Sequence, residues 1–143
     1  MKRFLIVILK VVLYVAFLLL LMYGTPKVLS KVLHTQYPMA AITSGSMWPV
    51  LKTGDLILMK GAHAGEVSVG QIIVFKNTNG FTIHRLIRKE GERYITKGDA
   101  NNVEDRPIQA SDIVGRAVYM GEKPFRVPKL GFMAKYVSSK LGK

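Results

Sequence analysis

The stretch from Gln71 to Ile87, QIIVFKNTNGFTIHRLI, predicts a β-hairpin and is the starting point for the fold. The runs Gln71 to Phe75 and Phe81 to Ile87 are rich in β-branched and aromatic residues, which favour strands. Thr78-Asn79-Gly80 lies between them. Asn and Gly both tolerate the positive φ angles of a tight hairpin turn. We therefore predict two antiparallel strands joined at Asn79-Gly80.

Further short strands flank this hairpin on both sides. Gly54-Asp55 is a turn signal, and no apolar spacing of the helical kind occurs between residue 39 and the carboxyl-terminal tail. The additional strand candidates are Met39 to Ile42, Leu56 to Met59, Arg93 to Thr96 and Ile113 to Met120. The pattern predicts a small, mainly β domain over residues 38–128.

The amino-terminal segment predicts a membrane anchor. Phe4 to Tyr23 reads FLIVILKVVLYVAFLLLLMY, and only Lys10 interrupts it. Twenty apolar residues are enough to cross a hydrocarbon core of about 30 Å. A cleaved secretory signal is the alternative, but the run is long for one, and Pro26-Lys27 follows where a small-residue cleavage site is expected. We expect an uncleaved transmembrane anchor over residues 1–24.

Residues 25–37 are interpreted as a juxtamembrane connector. Pro26 predicts a break in the helix, with a short second helix over Lys27 to His34. Basic residues slightly favour a cytoplasmic amino terminus, which places the β domain on the extracytoplasmic face, or in the lumen of a eukaryotic cell. The basic residues compared are Lys2, Arg3 and Lys10 toward the amino-terminal end of the span and Lys27 and Lys31 after its carboxyl-terminal end.

The tail over residues 129–143 has helical apolar spacing. This pattern favours a short basic amphipathic helix on a membrane surface, and a frayed, solvated tail is the alternative. The apolar positions are Leu130, Met133, Ala134, Val137 and Leu141, and the lysines between and around them are Lys129, Lys135, Lys140 and Lys143.

The overall charge is strongly basic, at +12, and so favours an anionic partner. The anchor points to a lipid bilayer. Nucleic acid is disfavoured because surface aromatic residues do not alternate with the basic ones. With no cysteine in the chain, disulfides and thiolate metal sites are excluded.

A first candidate for chemistry is the segment Ser44-Gly45-Ser46-Met47-Trp48-Pro49. It follows the apolar run Met39 to Ile42, so Ser46 is expected where a strand breaks. Gly45 would allow an unusual backbone conformation there and leave the hydroxyl unobstructed. An ordinary turn serine is the alternative.

The second candidate is His84, in Thr82-Ile83-His84-Arg85-Leu86. Strand alternation places His84 on one face with Thr82 and Leu86. A structural strand histidine is the alternative. His34, in the connector, and His63, in a loop, have no candidate partner nearby in sequence and are interpreted as solvated.

The third candidate is the loop from Lys97 to Arg106, which contains Asp99 and Asp105. An Asx-rich turn is the simple interpretation, with Asp99 bonding nearby backbone amides. The alternation of an EF-hand loop is missing, so we predict no metal site and no cofactor.

These three segments carry the residue types of a hydrolytic serine site. A serine nucleophile needs a base to take its proton, and the base needs a carboxylate to hold its tautomer. The sequence alone does not show that the three side chains converge.

The ordered motifs resemble the type I signal peptidases. They are Ser44-Gly45-Ser46-Met47-x-Pro49, then His84-Arg85, then Gly98-Asp99 with Asp105 six residues on. The resemblance is to the branch found in the endoplasmic reticulum, archaea and some Gram-positive bacteria. In the other bacterial branch, a lysine stands where His84 stands here. The resemblance implies a β-rich catalytic fold shared with LexA-like repressors, and secretory precursors as substrates, cut after a small residue.

Residue roles are likewise implied by the resemblance. Ser46 matches the nucleophile and His84 the general base. Asp105 matches the third member of the triad, and Asp99 a second acidic position that supports the site. Ser44, with the Ser46 amide, matches an oxyanion hole. The resemblance leaves open whether further subunits are required.

Two other functions compete with the peptidase interpretation. A LexA-like self-cleaving regulator would need a DNA-binding module and a lysine base, and the sequence has neither. A membrane-tethered β-rich binding module, with Ser46 and His84 structural, is the alternative from a different class.

Overall fold

The structure is a computed structural model that describes residues 2–78 and 80–141. A long helix, α1 (Lys2–Val32), leads into a β domain, and a second helix, α2 (Leu130–Leu141), follows that domain. The mainly β fold with one amino-terminal apolar helix is confirmed.

The helix α1 is long and apolar enough to cross a membrane. Its 31 residues extend over about 46 Å, against about 30 Å for a hydrocarbon core. The segment from Arg3 to Val32 has a mean hydropathy of 3.0 at its most apolar, and none of that part is buried in the protein. Apolar side chains that the protein itself does not cover are suited to lipid.

The prediction that Pro26 interrupts the helix is wrong. The helix α1 continues through Pro26 to Val32. Proline removes one backbone donor, but its fixed φ angle is compatible with a helix, and membrane helices tolerate such a residue. The hydrogen bond from the Leu33 amide to the Leu29 carbonyl, 2.9 Å long, shows that the helical pattern continues beyond the proline.

The β domain is built around one antiparallel sheet. The described strands are β1 (Met39–Ala41), β2 (Leu56–Gly61), β3 (Ile72–Asn77), β4 (Gly80–Glu90), β5 (Arg93–Lys97), β6 (Ile108–Gln109), β7 (Ile113–Ala117), β8 (Tyr119–Met120), β9 (Lys123–Pro124) and β10 (Arg126–Val127). Their order in the main sheet is β1-β2-β7-β3-β4-β5-β6, and β10 also pairs with β2. Strands β8 and β9 form a separate hairpin.

The predicted central hairpin is confirmed. Strands β3 and β4 pair from Ile72 opposite Arg85 to Asn77 opposite Gly80. Gly80 has a φ of +117°, a value that residues with a side chain rarely adopt. Asn79, the other turn residue of the prediction, lies outside the described residues.

Strand β3 is buried on both faces, which explains its nearly continuous apolar sequence. Ile72 and Val74 belong to one hydrophobic cluster, while Ile73 and Phe75 belong to another on the opposite face. A strand covered on both faces has no need of polar alternation. The hairpin therefore passes through the centre of the domain, and His84 of β4 lies directly opposite Ile73.

One predicted strand differs in the structure. The run Ile113 to Met120 is divided at Val118 into β7 and β8. The Val118 amide still bonds to the Leu58 carbonyl in register with the β2–β7 pair, whereas the Val118 carbonyl accepts from Phe125, and the chain turns from the main sheet into the hairpin of β8 and β9. The short strands β6, β9 and β10 have too few residues to show an alternating pattern, and none of them was predicted.

The predicted carboxyl-terminal helix is present as α2. Gly131, at its start, packs against the backbone of Gly54 and Asp55, and α2 contacts β1 and β2. The exposed side chains of Phe132, Met133 and Tyr136 lie on this helix. Its placement on a membrane surface stays a prediction, and Lys143 lies outside the described residues.

The residues that follow α1 contact the β domain directly. The Gly61 amide of β2 donates a hydrogen bond of 2.8 Å to the Leu33 carbonyl. A side chain at Gly61 would lie 2.0 Å from the His34 carbonyl oxygen, so only glycine permits this contact. The end of the helix therefore has a defined position relative to the sheet.

Candidate active site

Ser46 lies in the turn between β1 and β2. The turn is closed by hydrogen bonds from the Trp48 amide to the Gly45 carbonyl and from the Leu51 amide to the Met47 carbonyl. Met47 and Leu51 are fully buried in the core. The neighbours of Ser46 are thus fixed by packing, while its hydroxyl is left at the surface of the domain.

Gly45 does not have the unusual backbone that the sequence suggested. Its φ angle is not positive, and no atom lies within 4 Å of the position that a Cβ would occupy. The turn bends instead through the hydrogen bonds around it, so a special φ angle is unnecessary.

His84 lies on β4 with its imidazole pointing to this turn. Its Nε2 atom is 3.0 Å from the Ser46 Oγ. Only 10% of the side chain is exposed, so the imidazole is held against the core and not in bulk water. The structure therefore brings together the serine and histidine that lie 38 residues apart in the chain.

Asp105 lies on the other side of the imidazole. Its Oδ2 atom is 2.6 Å from His84 Nδ1, and the Thr96 hydroxyl donates a 2.7 Å hydrogen bond to the same oxygen. The Asp105 amide in turn donates to the Thr96 carbonyl over 2.9 Å. Thr96 is fully buried, and it holds the carboxylate of Asp105 through its hydroxyl and the backbone of Asp105 through its carbonyl. Sequence reasoning missed Thr96, because it is one more β-branched residue of a strand.

The loop from Lys97 to Arg106, here named the acidic loop, also supports the turn that carries Ser46. The Ala100 amide donates a 2.8 Å hydrogen bond to the Ser46 carbonyl. Gly98 approaches the same carbonyl so closely that a Cβ would lie 2.6 Å from it. Loop and turn thus meet backbone to backbone.

Asp99 does not take part in the hydrogen bonds around His84. Its carboxylate forms a two-pronged ion pair with Arg85, at 2.8 Å to Nε and 2.7 Å to Nη2. Arg85 also donates to the Gly70 carbonyl over 2.6 Å. The hydrogen bonds that Arg85 donates to the Asp99 carboxylate raise the pKa of its guanidinium. The expectation that Asp99 bonds nearby backbone amides is wrong, because the guanidinium fork occupies both carboxylate oxygens.

Ser44 lies beside the nucleophile candidate. Its Oγ is 3.1 Å from the Ser46 Oγ, and the contact is exposed to solvent. A hydroxyl at this place is free to turn toward a bound substrate.

A cleft of about 310 Å³ opens at this point on the surface. One wall is the segment from Ala41 to Met47, and the other is the start of β4 from Phe81 to His84. Ser46 and His84 both line it, so a peptide lying in the cleft would pass over the hydroxyl. The described residues contain no group of three His, Cys, Asp or Glu side chains that could hold a metal ion.

Comparison with known proteins agrees with this architecture. The family model described as "Peptidase S24-like" matches residues 23–118. The signal peptidase complex catalytic subunit SEC11 of Chaetomium globosum is 32% identical over 122 residues, which cover 78% of this chain and 70% of the relative. The same subunit of Metarhizium acridum is 33% identical over the same shares. The chain belongs to the signal peptidase I family, in its endoplasmic-reticulum-type branch.

A mammalian relative extends this similarity within signal peptidase I. The signal peptidase complex catalytic subunit SEC11C of Homo sapiens is 28% identical over 130 residues, which cover 72% of this chain and 68% of the relative. The resemblance drawn from the ordered motifs is confirmed at the level of the family and its branch.

Proposed function

We propose that this signal peptidase I chain is a membrane-bound serine endopeptidase that removes signal peptides from secretory precursors. The observation that carries the proposal is the continuous hydrogen-bonded path from Ser46 through His84 to Asp105. It opens into a surface cleft, and the same chain carries a helix suited to a bilayer. The relatives, named as signal peptidase catalytic subunits, support the substrate class.

The chemistry begins with a proton transfer from Ser46. His84 Nδ1–H donates to Asp105, which leaves the Nε2 lone pair free to accept the Ser46 proton. The Ser46 Oγ attacks the scissile carbonyl carbon, and the imidazolium is stabilised by the Asp105 carboxylate. His84 then gives the proton to the leaving amine. Water, activated by the same imidazole, hydrolyses the acyl-enzyme and restores Ser46.

The negative charge on the attacked carbonyl oxygen needs donors. Among the hydrogen bonds of the described residues, none uses the Ser46 amide, which leaves it available for that oxygen. The Ser44 hydroxyl, 3.1 Å from the Ser46 hydroxyl, is proposed as a second donor. In another serine protease, a single donor of this kind contributes about 3–4 kcal/mol to the transition state.

The apolar lining of the cleft supports cleavage after a small residue. Ala41, Ile42 and Ile83 line it with apolar surface close to the reacting pair. A small side chain fits such a wall without displacing it, whereas a large one would lift the peptide away from Ser46.

The anchor confines the enzyme to the surface where its substrates lie. A signal peptide is itself apolar and lies in the bilayer, so confinement of both partners raises their effective concentration. We propose a single-pass arrangement with the catalytic domain on the extracytoplasmic or lumenal side. The relatives are named as subunits of a complex, so further subunits are proposed as partners for this chain as well.

The deciding experiment uses the purified full chain in lipid or detergent. We expect it to cleave a model precursor at its signal junction and to be labelled at Ser46 by a serine-reactive phosphonate. Ser46→Ala should lose both the cleavage and the label while keeping its thermal melting temperature. A chain that binds the precursor but neither cleaves it nor takes the label would be a binding module.

A further inference from the structure

A second cleft, away from the catalytic one, lies at the carboxyl-terminal end of α1. It encloses about 630 Å³ and is bounded by the segment His34 to Tyr37, the end of β2, and Lys76 of β3. The contact between Gly61 and Leu33 fixes its position at the exit of the helix. Neither the catalytic path nor the comparisons account for this cleft.

The cleft and its rim are basic. Lys60 and Lys76 line it and are exposed, and no ion pair involving either of them occurs in the described part of the chain. The exposed residues His34 and His63 also line the cleft. Two ammonium groups facing one hollow repel each other unless an anion lies between them.

The sheet brings a third cation, Arg116, beside the cleft, next to Glu66 and Lys60, which line it. Lys60 of β2 lies directly opposite Arg116 of β7, and directly opposed residues of an antiparallel pair share one face. Like charges in this position destabilise a sheet. Arg116 makes only long contacts, of 3.4 Å, to the Glu66 carbonyl and the Gln71 side chain. The stability of the fold therefore gives no reason for this pair of cations.

One carboxylate lies within the cleft and offsets part of the charge. Glu66 accepts a 3.0 Å hydrogen bond from the His63 amide. That bond is the main reason why the pKa of the Glu66 carboxyl is below its usual value, and the charges of Arg116 and Lys60 act in the same direction. Glu66 is thus ionised and engaged in the turn from His63 to Glu66. One negative charge against Lys60, Lys76 and Arg116 leaves the region positive.

The position of the cleft decides which anion it meets. The 31 residues of α1 extend over about 46 Å, close to the total thickness of about 40–45 Å of a bilayer with both headgroup layers, so an upright helix that begins in one headgroup layer ends near the outer limit of the other. A tilt brings the end of the helix nearer to the phosphates. Lys27 and Lys31, both exposed on this part of α1, approach the same layer.

We propose that this basic cleft binds the phosphate group of an anionic phospholipid in the leaflet from which α1 emerges. Such a contact would hold the β domain at a fixed height above the bilayer. The proposal rests on α1 lying in a membrane and is independent of the chemistry at Ser46, so either can fail without the other.

Lipid titration of the full chain tests this proposal. The protein, released from detergent micelles in a native mass spectrometer, is titrated with dioleoyl phosphatidylglycerol or with dioleoyl phosphatidylcholine. We expect the first phosphatidylglycerol to bind more tightly than phosphatidylcholine. Lys60→Gln and Lys76→Gln should each weaken the binding of the first phosphatidylglycerol about fivefold, which is the effect of one basic residue near a lipid surface. Lys60→Arg and Lys76→Arg should retain binding.

Two controls make the result specific. The double variant Lys89→Gln/Lys123→Gln removes two charges elsewhere and should leave phosphatidylglycerol binding unchanged; an equal loss there would show a general charge effect and overturn the proposal. Glycerol phosphate and a short oligonucleotide supply the same phosphate chemistry without a lipid. If either displaces phosphatidylglycerol at comparable concentration, the cleft is a water-facing anion site and the lipid assignment is wrong. Equal affinity for the two lipids in the unmodified chain would also overturn it.

Discussion

The amide of Ala100 donates a 2.8 Å hydrogen bond to the backbone carbonyl of Ser46. This bond joins the turn that carries the hydroxyl to the loop that carries both aspartates. Gly98 lies against the same carbonyl, with no room for a side chain. The distance from Ser46 to His84 therefore depends on a backbone contact that involves neither of the two side chains.

Gly98→Ala should damage catalysis through this contact. A Cβ placed 2.6 Å from the Ser46 carbonyl must push the turn or the loop aside. Misplacement of a reacting group by about 1 Å can cost roughly 10²-fold in rate. We expect a loss of that order in precursor cleavage, measured as kcat/KM. Gly65→Ala is the matched control, because no atom lies within 4 Å of its Cβ position. Full activity in Gly98→Ala would show that the turn adapts.

Ser46 and His84 should behave as one unit in mutagenesis. In another serine protease, removal of either residue costs about as much as removal of the whole triad, near 10⁶-fold in kcat. We expect Ser46→Ala and His84→Ala to be similarly inactive, and the double variant to be no worse. His34→Ala and His63→Ala, at exposed positions, should cleave precursor at nearly the normal rate. Loss of activity in His63→Ala alone would mean that the wrong histidine was chosen.

Part of this architecture could be predicted because its signals are local. The hairpin follows from Asn79-Gly80 between two β-branched runs, and the anchor follows from length and hydropathy. Ser46, His84 and Asp105 were identified through the order of their motifs. Their convergence was not predictable, because it depends on how β4 and the acidic loop pack against the turn after β1.

The residues that were missed act through contacts distant in sequence. Thr96 looks like an ordinary strand residue until the carboxylate of Asp105 lies beside it. Arg85 was singled out only as part of a motif, and its pairing with Asp99 spans 14 residues. At Pro26 a local signal was misleading. Proline usually breaks the interior of a helix, but α1 continues through Pro26 to Val32.

Mutation of a buried ion pair outside the site should lower the free energy of unfolding more than mutation of an exposed ion pair. The Asp55 carboxylate is almost fully buried and lies 2.6 Å from Arg126 Nη1. Removing one partner of a buried pair typically costs 3–5 kcal/mol. For Arg126→Met we expect about 3 kcal/mol, because Arg126 is partly exposed and the Lys52 amide still donates to Asp55. The measurement is chemical denaturation of the full chain in detergent.

Arg88→Met provides the comparison for that experiment. Arg88 pairs with Glu90 and Glu104 in an exposed position, where water and salt screen the charges and an ion pair adds little to stability. A larger loss in Arg88→Met than in Arg126→Met would contradict the ranking by burial.

The orientation of the anchor can be tested with external protease. Trypsin added to spheroplasts or sealed vesicles should cleave after exposed basic residues of the β domain, such as Arg93. An epitope tag placed before Met1 should survive until detergent is added. Protection of the whole β domain, with loss of the tag, would reverse the proposed topology and remove the access to secretory precursors that the function requires.

The two aspartates should differ in what their amide variants do. Asp105 accepts from both His84 and Thr96, and an amide in its place can present N–H to the imidazole and favour the wrong tautomer. In another serine protease this exchange lowers kcat about 10⁴-fold. Arg106, the neighbouring cation, forms no ion pair with Asp105 among the described residues, so the carboxylate is available to His84.

Asp99→Asn should be the milder change because Asp99 acts through Arg85. The amide keeps one oxygen that can accept from the guanidinium, so the loop is weakened but still tethered. We expect a loss of about 10-fold, small beside that of Asp105→Asn. Turnover of one precursor by both variants decides the order, with thermal melting as the check on folding. An inactive Asp99→Asn beside a nearly active Asp105→Asn would require the two assignments to be exchanged, since the orientation of the imidazole would then depend on Asp99 rather than on Asp105.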